Sequence, residues 1–446
     1  MASLTYAYPK LSNLVTGPSA EQLFLSKYNE DKKATGSCFF WGRLNDPYRI
    51  ARCLISMSKI VQSDFIRTID FSLLKDPIVT SGHGKIRMEA FSTCAGVYAR
   101  TDILEDGHDG EFLENGTTNV DFNIPLITEL NRIQKSDKLV LSVGEKEVGF
   151  HKDGESIIER KVPLPTKWIK GLTTVQHFFS DSSLAVSLTK TQAIALFRSV
   201  NLTKVKTDYY LVKRGSKYQF SPVSTNGLLC VGGIHRLALL KPLLTHVDAM
   251  HIYNHQADQA VSFVLEMGAI RFTFSISRSY LRGFSGEGAV LDDLLEEMPA
   301  ELITAFDNYS FANQEFNHQK LAKEYKLDNQ VAESLSAKLA AMGLLGYDLE
   351  SKHYYYRRLP FKMNRILSLN PRLKGADNLI KDNKVTINVH EGDKIEASVK
   401  GTTGFDHYVL LKDGVEKCTC LWYTRNQGER GSCKHILAVK KITQNT

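Results

Sequence analysis

The chain has 446 residues, a length that favours about three domains, and its 43% hydrophobic and 24% charged content exclude wholesale disorder. A net charge of +7, from 56 basic and 49 acidic residues, permits contact with polyanions without demanding it. No apolar run approaches the ~18 residues that span a bilayer, and the first residues lack a signal peptide's basic patch and apolar stretch, so no membrane contact and a cytoplasmic location are expected. Seven cysteines, an odd number in a long chain, argue against a disulfide framework. Cys38, Cys53, Cys94 and Cys230 are far apart and read as small buried hydrophobes in a reducing compartment.

In chain order, residues 1–285 read as many short strands with a few helices between them, and a repeat runs through them. The first copy predicts a helix over 47–59, strands within 86–100, an extra polar loop over 105–118 and a helix over 124–133. Strands at 138–143, 147–150 and 157–162 follow, and 168–172 closes it. The second copy predicts a helix over 190–200, strands within 208–220, a helix over 234–244 and strands at 249–253, 261–266 and 269–276, closing at 280–284. Asp137 and Asp248, Lys170 and Arg282, and Gly171 and Gly283 match at an offset of about 111. The expected fold class is α+β and multidomain, with a duplicated βαβββ-type repeat. A βαβββ unit used twice per copy resembles the domains of DNA sliding clamps. Residues 115–120 and 283–288 read as tight turns.

From Gly288 onward the apolar period changes from 2 to 3.6. An acidic helix is expected over 289–305, carrying Asp292, Asp293, Glu296 and Glu297, then helices over 316–325 and 330–342 and a hairpin within 344–358. Two helices across a short turn followed by a β-wing predict a winged-helix-like middle domain. Its second helix opens on Asp328-Asn-Gln rather than on basic residues, which favours a scaffold over a reader of base sequence. The wing, with Lys352, His353, three tyrosines, Arg357 and Arg358, suits a phosphate backbone better. Pro371 and Gly375 mark 364–383 as a connector.

The last module opens near Lys384, with strands expected over 385–389, 394–399 and 407–411. Cys418-Thr-Cys420, twelve intervening residues and Cys433-Lys-His435 follow, leading into a helix. Three thiolates and one imidazole within this short stretch suit tetrahedral zinc. Four protein ligands leave no open position, so one structural Zn²⁺ is expected on Cys418, Cys420, Cys433 and His435, completing a module with little core of its own. Residues 371–446 hold 13 basic and 9 acidic residues, a net +4. Lys417, Arg425, Arg430, Lys434, Lys440 and Lys441 are candidates for neutralising phosphates, and Trp422 or Tyr423 for stacking on an unpaired base; alternatively Trp422 packs on the metal knuckle.

The Cys-x-Cys, gap, Cys-x-His pattern resembles the SWIM zinc finger, a DNA-binding or protein-binding module found in transposases, chromatin-remodelling ATPases and ubiquitin-pathway proteins. Residues 116–121 (Gly-Thr-Thr-Asn-Val-Asp), 160–165 (Arg-Lys-Val-Pro-Leu-Pro) and 282–290 (Arg-Gly-Phe-Ser-Gly-Glu-Gly-Ala-Val) are similar to recurring motifs of bacterial SWIM-containing proteins of this size. Members of that family are often encoded beside MoxR-type AAA+ ATPases and von Willebrand factor A proteins, which implies an adaptor or accessory role.

Enzyme motifs are missing from the sequence: no P-loop and no Gly-x-Ser-x-Gly elbow occurs, and His390-Glu391 lacks the histidine of a zincin at 394. The expected organisation is a first α+β repeat over 1–180, a second over 181–288, a helical, winged-helix-like domain over 289–370 and the finger over 371–446. The expected function is non-catalytic: a nucleic-acid accessory factor contacting DNA or RNA through Lys417, Trp422, Arg425, Arg430 and Lys434. The alternatives are an adaptor that docks its AAA+ ATPase and von Willebrand factor A partners through the same surface and, more remotely, an enzyme with a spatially assembled site.

Overall fold

The computed structural model describes residues 13–16, 21–24, 37–65, 77–162, 164, 166–200, 203–204, 207–223, 228–279, 283–284, 290, 294–295, 298–313, 316–359, 370–401, 404–428 and 431–444. The chain forms two compact units, 1–163 with 183–281, and 164–182 with 282–446.

In the first unit, β1 (Asn13–Thr16) and β2 (Glu21–Phe24) form a two-stranded sheet. β3 (Cys38–Leu44) leads into α1 (Pro47–Gln62), whose start is set locally. The Asp46 carboxylate accepts from the Arg49 N–H at 3.0 Å, and Pro47 occupies a first-turn position where its missing N–H costs nothing. Ile50, Leu54, Met57 and Val61 recur at helical spacing and are buried. Next come β4 (Ile78–Gly82), β5 (Lys85–Phe91), β6 (Val97–Ile103), β7 (His108–Phe112), β8 (Gly116–Asn119), α2 (Ile124–Arg132), β9 (Leu139–Gly144), β10 (Glu147–Lys152) and β11 (Glu155–Arg160). The chain then leaves for α3 (Thr166–Ser180) in the second unit and returns through β12 (Ser182–Thr189). The rest of the unit is α4 (Lys190–Arg198), β13 (Tyr209–Arg214), β14 (Lys217–Ser221), β15 (Leu229–Val231), a 3₁₀ helix (Ile234–Leu243), β16 (Ala249–His255), β17 (Ala260–Met267) and β18 (Ile270–Ser277).

Sheet order makes the duplication explicit. The run β11-β10-β9-β3 in one sheet has the same order as β18-β17-β16-β12 in another, and β5-β4-β8 matches β14-β13-β15. The helices α1 and α4 occupy equivalent places, as do α2 and the 3₁₀ helix. Two strands of the first copy, β6 and β7, have no counterpart in the second; β7 lies at a sheet edge beside β3, and β6 joins the copies: Val97–Ile103 runs antiparallel to Ile270–Ile276, completing the eight-stranded sheet β12-β16-β17-β18-β6-β5-β4-β8. Both faces of β6 and nearly all of β18 are buried.

Arg236, fully buried in the 3₁₀ helix, clamps the end of that junction. Its guanidinium donates to the carbonyls of Gly96 (2.7 Å), Ser277 (2.5 Å), Gly232 (2.5 Å) and Gly233 (3.2 Å). Gly96 immediately precedes β6 and Ser277 ends β18, so one side chain closes both strand ends. Burial lowers the Arg236 pKa to about 10, which leaves it charged at neutral pH.

Several expectations are corrected. The segment 105–118 is not a polar loop: β7 extends the sheet beside β3, and β8 pairs with β4. Polar residues disguised β7, whose five residues are half-exposed at a sheet edge. Residues 116–119 are strand rather than turn, and Gly116 is needed because a Cβ there would enter the Phe39 ring. The helix expected over 234–244 is 3₁₀, in keeping with Pro242, whose missing N–H interrupts an α-helical ladder. Residues 168–172 belong to α3, which packs in the second unit instead of closing the first repeat.

The segments 116–121 and 160–165 meet here: the Val162 N–H donates to the Asn119 carbonyl at 3.2 Å, the Asn119 amide donates to the Val162 carbonyl, and Val120 bridges Lys161. In the segment 282–290, Arg282 and residues 285–289 lie outside the described residues.

The second unit contains α3, α5 (Ala300–Ala312), α6 (His318–Glu324), α7 (Asn329–Ala341) and a hairpin of β19 (Leu345–Asp348) and β20 (His353–Tyr356). Phe306, Phe316, Leu321, Leu335, Leu339 and Leu345 form their core. The helix expected over 289–305 is interrupted: α5 starts at 300 behind the extended Pro299, while Leu294 and Leu295, upstream of that break, are also helical. Asp292, Asp293, Glu296 and Glu297 lie outside the described residues. Asn317 and Asp328 cap α6 and α7 with their side chains, explaining the break between them.

The hairpin keeps only part of the expected wing at the surface, where Lys352 and Arg358 are exposed. Tyr354, Tyr355 and Tyr356 are buried, Arg357 is fully buried and donates to the Leu172 carbonyl at 3.0 Å, and Arg358 pairs with Asp307 at 3.2 Å.

The C-terminal module is α8 (Pro371–Lys381), a meander of β21 (Val385–Glu391), β22 (Lys394–Lys400), β23 (Asp406–Lys412) and β24 (Val415–Cys418), then α9 (Leu421–Asn426) and α10 (Lys434–Gln444). Most of the connector expected over 364–383 is therefore helix. Pro371 opens it in the first turn, and Gly375 accommodates Lys434, whose Cδ lies 3.2 Å from where a Cβ would stand.

Arg236→Met should expose the copy junction. Leaving buried carbonyls unpaired costs at least about 3 kcal/mol, so amides of β6 and β18 should exchange with deuterium faster than those of β9 and β10. Unchanged protection in β6 and β18 would mean that the clamp is dispensable.

Candidate metal centre and basic surface

The four ligands come from three short elements. Cys418 ends β24, Cys420 caps α9, and Cys433 and His435 flank the first residue of α10. Between the first two, the chain folds as a knuckle: the Cys420 N–H donates to Cys418 Sγ at 3.4 Å, and the Tyr423 N–H donates to Cys420 Sγ at 3.4 Å. All four residues are buried, and their donor atoms lie within 4.8 Å of one another. His435 Nδ1 stands 3.8 Å from Cys418 Sγ and 4.0 Å from Cys433 Sγ. A tetrahedral ion with metal–sulfur bonds of about 2.3 Å and a metal–nitrogen bond of about 2.0 Å would set such pairs roughly 3.6 Å apart. The donor set and its spacing thus fit a metal ion held entirely by protein.

The three neighbouring thiols perturb one another. Hydrogen bonds from Cys418 and then Cys433 hold the Cys420 thiol far below its ordinary pKa, while the bonds Cys418 makes with Cys420 and Cys433 push the Cys418 thiol far above its own. Sulfurs this close cannot all ionise unless a cation joins them. The other cysteines contrast with this. Burial pushes the Cys230 thiol up to about 11 and raises that of Cys53, as expected of inert, protonated side chains. Among the described residues every cysteine is free of disulfides.

Around the ligands, Glu416 is a hub that spacing did not single out. Its carboxylate accepts from Ser432 Oγ at 2.5 Å and pairs with Lys440, while its carbonyl accepts the Tyr423 hydroxyl. Lys441 pairs with Asp377 at 2.9 Å. Lys440 and Lys441 are therefore engaged within the chain. The Arg372 guanidinium lies 4.5 Å from the centre of the half-buried Trp422 ring, a cation–π contact linking α8 to α9. Lys417 and Arg425 are exposed on β24 and α9, Lys434 is half-buried against α8, and Arg430 lies outside the described residues. Of the expected binding surface, then, Lys417 and Arg425 face solvent, whereas Trp422 and Lys434 are packed.

No family model matches the chain, and no curated protein matches it. Among solved structures, it is similar to the proliferating cellular nuclear antigen of Entamoeba histolytica, with a TM-score of 0.37 and 10% identity, over 54% of this chain and 98% of that one. It is also similar to the DNA polymerase sliding clamp of Caulobacter crescentus, with a TM-score of 0.36 and 9% identity, over 85% of this chain and 86% of that one. No helix among the described residues is long and apolar enough to cross a membrane.

Purified protein should contain one equivalent of metal per chain. Cys418→Ser and His435→Ala should each lose it and release α10 to proteolysis; a full equivalent retained by Cys418→Ser would remove that residue from the ligand set. Binding displaces thiol protons, so metal affinity should fall as pH falls, measurable by competition with a chromogenic chelator.

Proposed function

We propose that this chain is a non-catalytic zinc protein whose C-terminal module is a SWIM finger that contacts nucleic acid. The observation that carries the reading is the buried Cys418–Cys420–Cys433–His435 cluster with the exposed cations Lys417 and Arg425 beside it. Three sulfurs and one imidazole in a closed set favour zinc over the harder cations, which prefer oxygen, and give it a structural role. The metal fixes the knuckle, the knuckle fixes β24 and α9, and these present the two cations to phosphates. In this reading the duplicated unit is a scaffold, and so are the helices α6 and α7 with their hairpin, taken as winged-helix-like; the internal ties of Tyr354, Tyr355, Tyr356 and Arg357 support that assignment.

A second reading rests on a different observation. Phe405 and Leu421 on the same module are 74% and 63% exposed, apolar surface of the kind a protein partner covers. It would make the finger the docking element of an adaptor for an AAA+ ATPase and a von Willebrand factor A protein.

Salt separates the two. Nucleic-acid affinity should fall linearly in log–log form with salt, because phosphate neutralisation releases counterions. Lys417→Ala and Arg425→Ala should each reduce that slope by about one, and zinc chelation should abolish binding. No binding of DNA or RNA at low salt would eliminate the first reading and leave the adaptor.

A further inference from the structure

The meander β21–β24 has two unlike faces. Cross-strand partners Ala397, Val409 and Cys418 are buried on the face that packs against α10. The alternate residues, Ser398, Tyr408, Leu410 and Lys417, share the opposite face. That face forms a groove of about 730 Å³, walled on one side by Tyr423, Thr424 and Gln427. Tyr408 is 61% exposed in it, a large aromatic standing clear of the core.

The Tyr408 backbone is held at both ends by one residue. Its N–H donates to Thr419 Oγ1 at 3.0 Å, and its carbonyl accepts from the Thr419 N–H at 3.1 Å. Thr419 lies between Cys418 and Cys420, so the metal knuckle itself positions the ring. By the same alternation, Lys394, Lys400, Lys412 and Lys417 lie on this face with the acids Glu391, Glu396 and Asp406. Lys394 and Glu396 neutralise each other at 2.7 Å, leaving the face net positive. Asn388, exposed on the edge strand β21 and lining the groove, donates its amide N–H to Ser398 Oγ at 2.7 Å and keeps its side-chain oxygen as an acceptor.

We propose that this open sheet face binds single-stranded nucleic acid, with Tyr408 stacking on an unpaired base and Lys417 and Lys412 neutralising the flanking phosphates. The proposal rests on the nucleic-acid reading above and specifies its ligand and platform. An exposed ring among cations on a shallow sheet groove matches what unpaired strands require: an aromatic face for each base and a positive track for the backbone. A duplex buries its base faces and has nothing to offer Tyr408. The platform is also Tyr408 rather than Trp422, whose ring is already engaged by Arg372.

The test uses the full-length, zinc-loaded chain with fluorescent dT12, U12 and a 12-base-pair DNA duplex. Both single strands should bind at least tenfold more tightly than the duplex. Tyr408→Ala should weaken single-strand binding by at least about fivefold, the usual loss for one stacked base; Tyr408→Phe, which keeps the π-face, should bind like the original chain. Unchanged zinc content and melting temperature in both variants would show that the fold is intact, as exposure of the ring predicts. Lys417→Ala combined with Lys412→Ala should lower the salt slope with all single strands. Binding by the original chain that Tyr408→Ala leaves intact, or that favours the duplex, would overturn this proposal while sparing the nucleic-acid reading. No binding to any of the three probes would overturn both. A preference between dT12 and U12 identifies DNA or RNA as the source of the strand.

Discussion

The C-terminal module is organised around four buried donors within 4.8 Å of one another. Three sulfurs so close must share protons or share a cation, and a cation lets all three ionise. The elements they anchor are too short to stand by themselves: β24 has four residues and α9 has six. The long helix α10 brings the apolar residues Ile436, Leu437, Ala438 and Val439, all buried, and Cys433 and His435 fix where that apolar stretch meets the sheet. A metal ion held by these four residues would make ligation and core formation one event. Glu416 supports it by tying the strand before the knuckle to Ser432 and to Lys440 of α10.

A different constraint governs the first unit. Duplicating a unit with the order β11-β10-β9-β3 leaves two sheets with open edges, each a row of unpaired backbone groups. One answer is β6, which turns the edges of two sheets into the interior of a single eight-stranded one. Arg236 then satisfies the carbonyls at the strand ends with a charge that has lost most of its water. The side chain is costly to bury, and four carbonyl acceptors are what offsets that cost.

Much of this was legible in the sequence, because the repeat offset and the strand alternation are local signals. The four metal donors were legible for the same reason: the chemistry of tetrahedral ligation dictates residue types and short spacings. What was hidden depended on partners distant in sequence. The strand β7 is polar because it is an edge, and β8 looks like a turn because its glycine makes room for Phe39. The tyrosines of the hairpin read as a surface wing, yet the second unit buries all three. Arg236 sits in what read simply as a helix over 234–244, and its carbonyl partners, Gly96 and Ser277, are distant in sequence. Tyr408 could have been found by period-2 alternation alone: Val409 is a core residue of its strand, so its neighbour must face outward.

Charge was the least transferable reading. A net +4 in the last 76 residues suggests a generally basic module, but a count treats every cation as equivalent. Folding sorts them. Lys440 and Lys441 are committed to Glu416 and Asp377, and Arg372 to Trp422. Beyond the finger, Arg357 is buried on the Leu172 carbonyl, and Arg358, though exposed, pairs with Asp307. Of the cations that stay exposed, Lys400, Lys412 and Lys417 share one sheet face, whereas Lys374 and Lys381 lie on α8 and Arg425 on α9. A ligand is recognised by charges that are both exposed and fixed in place, and the knuckle supplies the second property to the residues on either side of it. The same four ligands that complete the core of the module therefore also decide which of its positive charges can act together.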